Sequence, residues 1–106
     1  MGVRMANQLQ KMLKEAQKLE KKLAAVREDL ATRRVEGTSG GGVVRVTMNG
    51  QRDVVGVRIE PEVLEGADPD MLEDLLLGAL RDAKEKSDEL AASEMGKVTG
   101  GVMPGM

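Results

Sequence analysis

The sequence predicts one small α+β domain: a long N-terminal helix, a small antiparallel three-stranded sheet and a long C-terminal helix. Three observations predict it. Apolar residues step 4-3-4-3 through the opening segment, alternate singly from Val43 to Ile59, and return to helical spacing after Asp68. The breakers Ser39-Gly40-Gly41-Gly42 and Asn49-Gly50 divide the alternating part. The length, 106 residues, suits a single domain.

The first helix rests on Met5, Leu9, Met12, Ala16, Leu19, Leu23, Val26 and Leu30, an unbroken heptad seam. No Gly or Pro interrupts residues 4–33. About 30 residues at 1.5 Å each make a rod of ~45 Å, too long for one small globule to cover. The seam needs a partner, either the stripe Leu72, Leu76, Ala79, Leu80, Ala83, Ser87 and Leu90 or a second copy of the chain.

Arg34 to Ser39 reads as a short strand, the glycines after it as a connector, and Val43 to Met48 as a second strand. Asn49-Gly50 signals a two-residue hairpin turn. That turn would set Met48 opposite Gln51, Val46 opposite Asp53 and Val44 opposite Val55. Val44, Val46, Met48, Val55, Val57 and Ile59 then share the core face. Arg45, Arg52 and Arg58 share the other face, with Val54.

Pro61 to Leu64 reads as a helical turn. Asp68-Pro69 is an N-cap followed by proline at the first helical position. Leu75 to Leu80 is apolar nearly all round and predicts burial on several sides. Gly96 is expected at the C′ position, closing a domain of residues 1–96. Residues 97–106, with three glycines and a proline, are expected to form a flexible tail.

Composition excludes much chemistry. The chain has no Cys, His, Phe, Tyr or Trp. It therefore has no thiolate nucleophile, imidazole base, disulfide or ordinary zinc site. It has no platform for stacking on bases. The acids from Glu62 to Asp74 crowd a loop and a helix start, where capping explains them. Gly37 and Gly42 have phosphate-loop spacing, but Val43-Val44 stands where Lys and Ser/Thr are required. The reading is a protein without catalytic residues, metal, cofactor or small-molecule substrate. No apolar run approaches the ~20 residues of a membrane span. A cytoplasmic setting is expected, with no membrane partner.

Charge is the informative signal. The net charge is −2, yet residues 1–34 carry nine Lys/Arg against four Asp/Glu, and the remainder seven against fourteen. Such asymmetry suggests a polyanion partner for the basic half. Lys11, Lys14, Lys18 and Lys21 form a second stripe beside the apolar seam, with Arg4 one heptad before Lys11. Lys22 and Arg27 add charge nearby. From Arg4 to Lys21 the stripe spans ~25 Å, or ~7 base pairs of duplex. It suits phosphate tracking, but periodicity alone favours a solvated coiled-coil flank or salt bridges to an acidic neighbouring helix. Arg45, Arg52 and Arg58 would form an auxiliary patch.

A core built from Leu, Val, Met and Ala at this length is thin, and an open three-stranded sheet has edges to pair. Both favour a homodimer whose core includes Val44, Val46, Val55, Val57, Ile59, Leu75, Leu76 and Leu80.

Three segments resemble the YbaB/EbfC family of bacterial nucleoid-associated proteins. They are Asn7-Gln8-Leu9 through Ala16-Gln17-Lys18-Leu19, Ser39-Gly40-Gly41-Gly42 through Thr47-Met48-Asn49-Gly50, and Ile59-Glu60-Pro61 with Met71-Leu72-Glu73-Asp74-Leu75 and Ala79. Met95-Gly96 and Thr99-Gly100-Gly101 also fit. The resemblance implies a tweezer-like homodimer with a shared sheet core and helical arms. It implies binding of double-stranded DNA with weak or variable sequence preference, and a role in nucleoid organisation or gene regulation. It further implies a link to recombination proteins, since members are often encoded beside a recombination mediator. The other function class is a scaffold whose helical arms grip a partner protein, DNA association being incidental.

Overall fold

The structure, a computed structural model, describes residues 2–66 and 68–99. Helix α1 (Gly2–Thr32) leads into strand β1 (Arg34–Ser39), a 3-10 turn (Gly40–Gly42), strands β2 (Val44–Asn49) and β3 (Val54–Ile59), the short helix α2 (Pro61–Leu64) and helix α3 (Pro69–Thr99). The sheet order is β1-β2-β3 with both pairs antiparallel. This is the α+β architecture expected from the residue periods.

The core lies between α3 and the first two strands. Ala79, Ala83 and Ser87, one turn apart, are completely buried against Val44, Val46 and Met48. Small side chains on α3 let the helix axis come close to the sheet. Gly37 of β1 completes the fit: a Cβ there would lie 2.2 Å from the Ala83 nitrogen. Val35, Ile59, Leu75, Leu76 and Leu80 pack around this centre, half-buried. Leu77 is exposed, so the run from Leu75 to Leu80 is not covered on every side in one chain.

The hairpin departs from the expected register. Val46 pairs with Val57 and Val44 with Ile59, four residues further along β3 than a two-residue turn predicts. The C-terminus of α1 explains the difference. A helix ends with carbonyls that lack intrahelical partners. Here Gly50 N–H donates to Leu30 O at 2.8 Å, Asn49 Nδ2 to Ala31 O at 3.3 Å and Gln51 Nε2 to Arg27 O at 2.7 Å. The turn residues cap the helix, so the loop widens. Asn49 Oδ1 stabilises the wider loop by accepting the N–H groups of Gln51 (2.8 Å) and Asp53 (3.0 Å).

Two placements on β3 change with it. Thr47 pairs with Gly56 but Met48 with Val54, leaving Val55 as the extra residue of a bulge rather than the partner of Val44. Val54 therefore joins the Met48 row instead of the arginine face. The shift from Asp53 to Val57 is even, so Val57 and Ile59 keep the face expected of them.

Helix α3 begins as the sequence predicts. Asp68 Oδ1 accepts the Asp70 N–H at 3.2 Å, with Pro69 opening the helix. Its end differs: Gly96 is not C′, and the helix continues to Thr99. A helical glycine costs only about 1 kcal/mol. The Lys97–Glu94 pair (3.0 Å) and the Thr99 hydroxyl on Met95 O (3.1 Å) support the last turn. The remainder of the expected tail, residues 100–106, lies outside the described residues.

Candidate nucleic-acid interface

The molecule measures 78 × 27 × 18 Å, and α1, 31 residues or about 46 Å long, is one of its two long helices. The helix is anchored at its C-terminal end, where Leu30 is buried and Leu23 and Val26 are half-buried. From Gly2 to Lys22 every described residue is exposed. The arm anticipated from the heptad seam is thus a projecting rod. Among the described residues its seam is covered near the base alone.

Lys11, Lys14, Lys18 and Lys21 line one side of this rod, with Arg4 toward its tip. None of the five forms an ion pair among the described residues. Basic residues of the globular end are engaged differently. Arg33 pairs with Asp29 (3.3 Å) and Glu94 (3.8 Å), Arg58 with Glu60 (3.7 Å) and Lys86 with Asp82 (3.2 Å). The positive field of the arm is therefore less neutralised locally than that of the sheet end.

Lys22 lies beside the stripe, next to Val98 at the end of α3. Arg27 does not join it. Nine residues from Lys18 at 100° each place Arg27 about 180° around the helix.

The three strand arginines separate. Arg45 and Arg58 are direct cross-strand neighbours. Arg52 instead sits in the hairpin loop with φ 67° and reaches Asp88 of α3 at 3.5 Å. The widened loop removes it from the face the short turn assigned. The auxiliary patch is thus a pair, and Arg45 Nε is bonded to Gly42 O at 3.1 Å. The connector before it has positive φ at Gly40, Gly41 and Gly42, which explains glycine there without a phosphate.

The titration of Asp82 is displaced. The Thr38 backbone N–H, 2.9 Å from Oδ2, and then Lys86 hold its carboxyl below the ordinary 3.8. It joins α3 to β1 structurally. Among the described residues no group of three or more acids could hold a metal ion. Among the described residues no helix is long and apolar enough to cross a membrane.

The model of the YbaB/EbfC DNA-binding family matches residues 5–102, nearly the whole chain. The chain belongs to that family. Its YbaB/EbfC relatives include a nucleoid-associated protein of Desulforamulus reducens, 43% identical over 96% of this chain and 98% of the relative. Another, from Chloroflexus aggregans, is 46% identical over 86% of this chain and 91% of its own length. The crystal structure of an uncharacterized protein from Helicobacter pylori superposes with a TM-score of 0.72, at 23% identity, covering 81% of this chain and 90% of that one. That likeness supports the helix–sheet–helix fold of this YbaB/EbfC member.

Sequence reasoning found the lysine stripe because its spacing is local. It placed Val55 and Val57 in a dimer core, but did not separate them from the residues that a single chain buries. Val54, Val55 and Val57 are 48, 45 and 52 % exposed, because α3 packs over β1 and β2 and leaves the edge strand uncovered. Only the lateral position of α3 produces that surface.

Proposed function

We propose that the protein is nucleoid-associated and binds double-stranded DNA as a homodimer through the lysine side of its arms. The observation that carries this is the projecting row of Lys11, Lys14, Lys18 and Lys21, free of carboxylate partners among the described residues. The family and the names of its relatives support DNA and the nucleoid as the setting. Arg4 and Lys22 extend the surface, Arg45 and Arg58 are auxiliary, and Arg27 and Arg52 are outside it. Nucleoid organisation, gene regulation and recombinational repair are the processes such binding would serve.

The uncovered valines on β3 support the homodimer. An apolar edge strand with free backbone groups pairs readily with a second copy. Two copies present two lysine rows, a bivalent grip on one duplex.

Binding of this kind is electrostatic. Lys acts as a point charge, and the chain has no aromatic side chain to stack on bases. Affinity then comes from counterion release, with weak sequence preference. Four engaged lysines give a slope of log affinity against log salt of about −3.6. Changing the four to Gln should flatten that slope and weaken unrelated duplexes alike, with the dimer intact. Native affinity and slope in that variant would place the DNA surface elsewhere. The exposed apolar seam of α1 favours a second reading, an arm that grips a protein. Retention on that partner at high salt, with no DNA retardation, would select it.

A further inference from the structure

The outer half of the α1 seam has no cover among the described residues. Met5, Leu9 and Met12 are 61, 58 and 65 % exposed, and Leu13 beside them is equally open. Closer to the sheet the same seam is closed by the protein itself, through half-buried Leu23 and Val26 to buried Leu30. Val98, near the end of α3, shares a surface groove with Ala16 and Leu19 and marks the boundary. Beyond it nothing among the described residues packs on the α1 seam. Isolated helices of about 12–15 residues are marginal in water, so this segment gains stability from a partner.

We propose that the outer half of α1 pairs antiparallel with the same segment of a second copy, joining two molecules arm to arm. The 4-3 spacing selects a helix as the occupant, because knobs-into-holes packing requires one. The charges select the same sequence in reverse direction. With Leu9 and Ala16 at a and Met5, Met12 and Leu19 at d, the flanking g positions are Gln8, Glu15 and Lys22. The e positions are Ala6, Leu13, Glu20 and Arg27.

A parallel pair sets g against the following e of the other helix. Glu15 then meets Glu20 of the second copy, twice, and like charges repel. An antiparallel pair centred between Gln10 and Lys11 layers Met5 on Ala16 and Leu9 on Met12 of the second copy. Its flanks are Gln8 with Glu15 and Ala6 with Leu13, and no like charges meet. Leu13, which lies off the seam, becomes buried.

The lysines fit this arrangement. Lys11 and Lys18 fall at c, Lys14 and Lys21 at f, all on the outer side of the pair. Arm pairing therefore leaves the cationic row open, and the inference is independent of whether that row binds DNA.

The test uses cysteine cross-linking in a chain that has no Cys of its own. Leu9→Cys and Met12→Cys are made separately, mixed without DNA and oxidised. A mixed disulfide in clear excess over either self-disulfide is expected. Met12→Cys linking mainly to itself would indicate parallel arms and overturn the proposal. Sedimentation provides the second measurement. Met12→Glu should weaken concentration-dependent association by about tenfold or more, with helicity retained. Neither the mixed disulfide nor an effect of Met12→Glu would mean that the arms do not meet.

Discussion

The hydroxyl of Ser87 donates to the carbonyl of Asn49 at 2.8 Å, and both residues are buried. This bond joins the middle of α3 to the end of β2, at the point where the Asn49 side chain also reaches the last turn of α1. Three elements distant in sequence are fastened through one asparagine. The base of the arm is thereby fixed relative to the sheet.

Asn49→Ala should be costly. It removes the acceptor for two loop N–H groups and the donor to Ala31 O. At about 1 kcal/mol for each bond, a loss of about 2–3 kcal/mol is expected. Ser87→Ala, which removes one bond, should cost about 1 kcal/mol. Urea midpoints for both variants provide the check, and equal costs would contradict the geometry.

Gly37→Ala should be more damaging than its single methyl group suggests. The new Cβ would meet backbone atoms of Ala79 and Ala83 on α3 at 2.2–2.7 Å, which cannot rotate away. A destabilisation of about 3 kcal/mol or more is expected, as for strong overpacking. Gly41→Ala meets nothing within 4 Å but has φ 74°. Its cost should be only about 1 kcal/mol, from the left-handed backbone. Thermal melts of the two variants separate steric from conformational causes.

Asp82 makes stability depend on acid. Its folded carboxyl titrates below the ordinary 3.8, first through the Thr38 N–H and second through Lys86. A depressed folded value means the contribution is complete above the unfolded pKa. It is lost as pH falls through that value and the folded one beneath it. Asp82→Asn should therefore reduce stability at neutral pH and flatten the acid limb below about pH 4. Unfolding midpoints measured from neutral pH downward would show it. Parallel curves for the native and variant chains would remove this role.

Val57→Asp addresses assembly. Val57 is exposed in the single chain, so the substitution should leave the protomer folded, with circular dichroism unchanged. In a dimer joined through β3 the carboxylate would be unpaired, at a cost of several kcal/mol. Sedimentation should show a native chain that is at least dimeric and loss of the β3 contact in the variant. A native monomer at micromolar concentration would contradict the dimer.

The α+β order, both long helices, the Asp68-Pro69 start and the lysine row were legible because each depends on neighbours three or four residues apart. The faces of β2 and most of β3 were legible for the same reason, since alternation has a fixed period. The hairpin register was not. Asn49-Gly50 favours a two-residue turn in isolation, but carbonyls in the last turns of α1, at Arg27, Leu30 and Ala31, accept donors from the turn residues. Those bonds moved the pairing by four residues, created the bulge at Val55 and turned Arg52 toward Asp88.

The sequence alone determined which residues could form each element and which faces they would present, because period and chirality act locally. Only the tertiary structure decided which of those faces were used. Helix α3 sits over β1 and β2, drawn close by Gly37, Ala79 and Ala83, and so Val57 and its neighbours on β3 remain exposed. The α1 seam is regular from Met5 to Leu30, yet among the described residues only its base is covered. No local pattern distinguishes the covered half from the open half. The difference is where α3 ends.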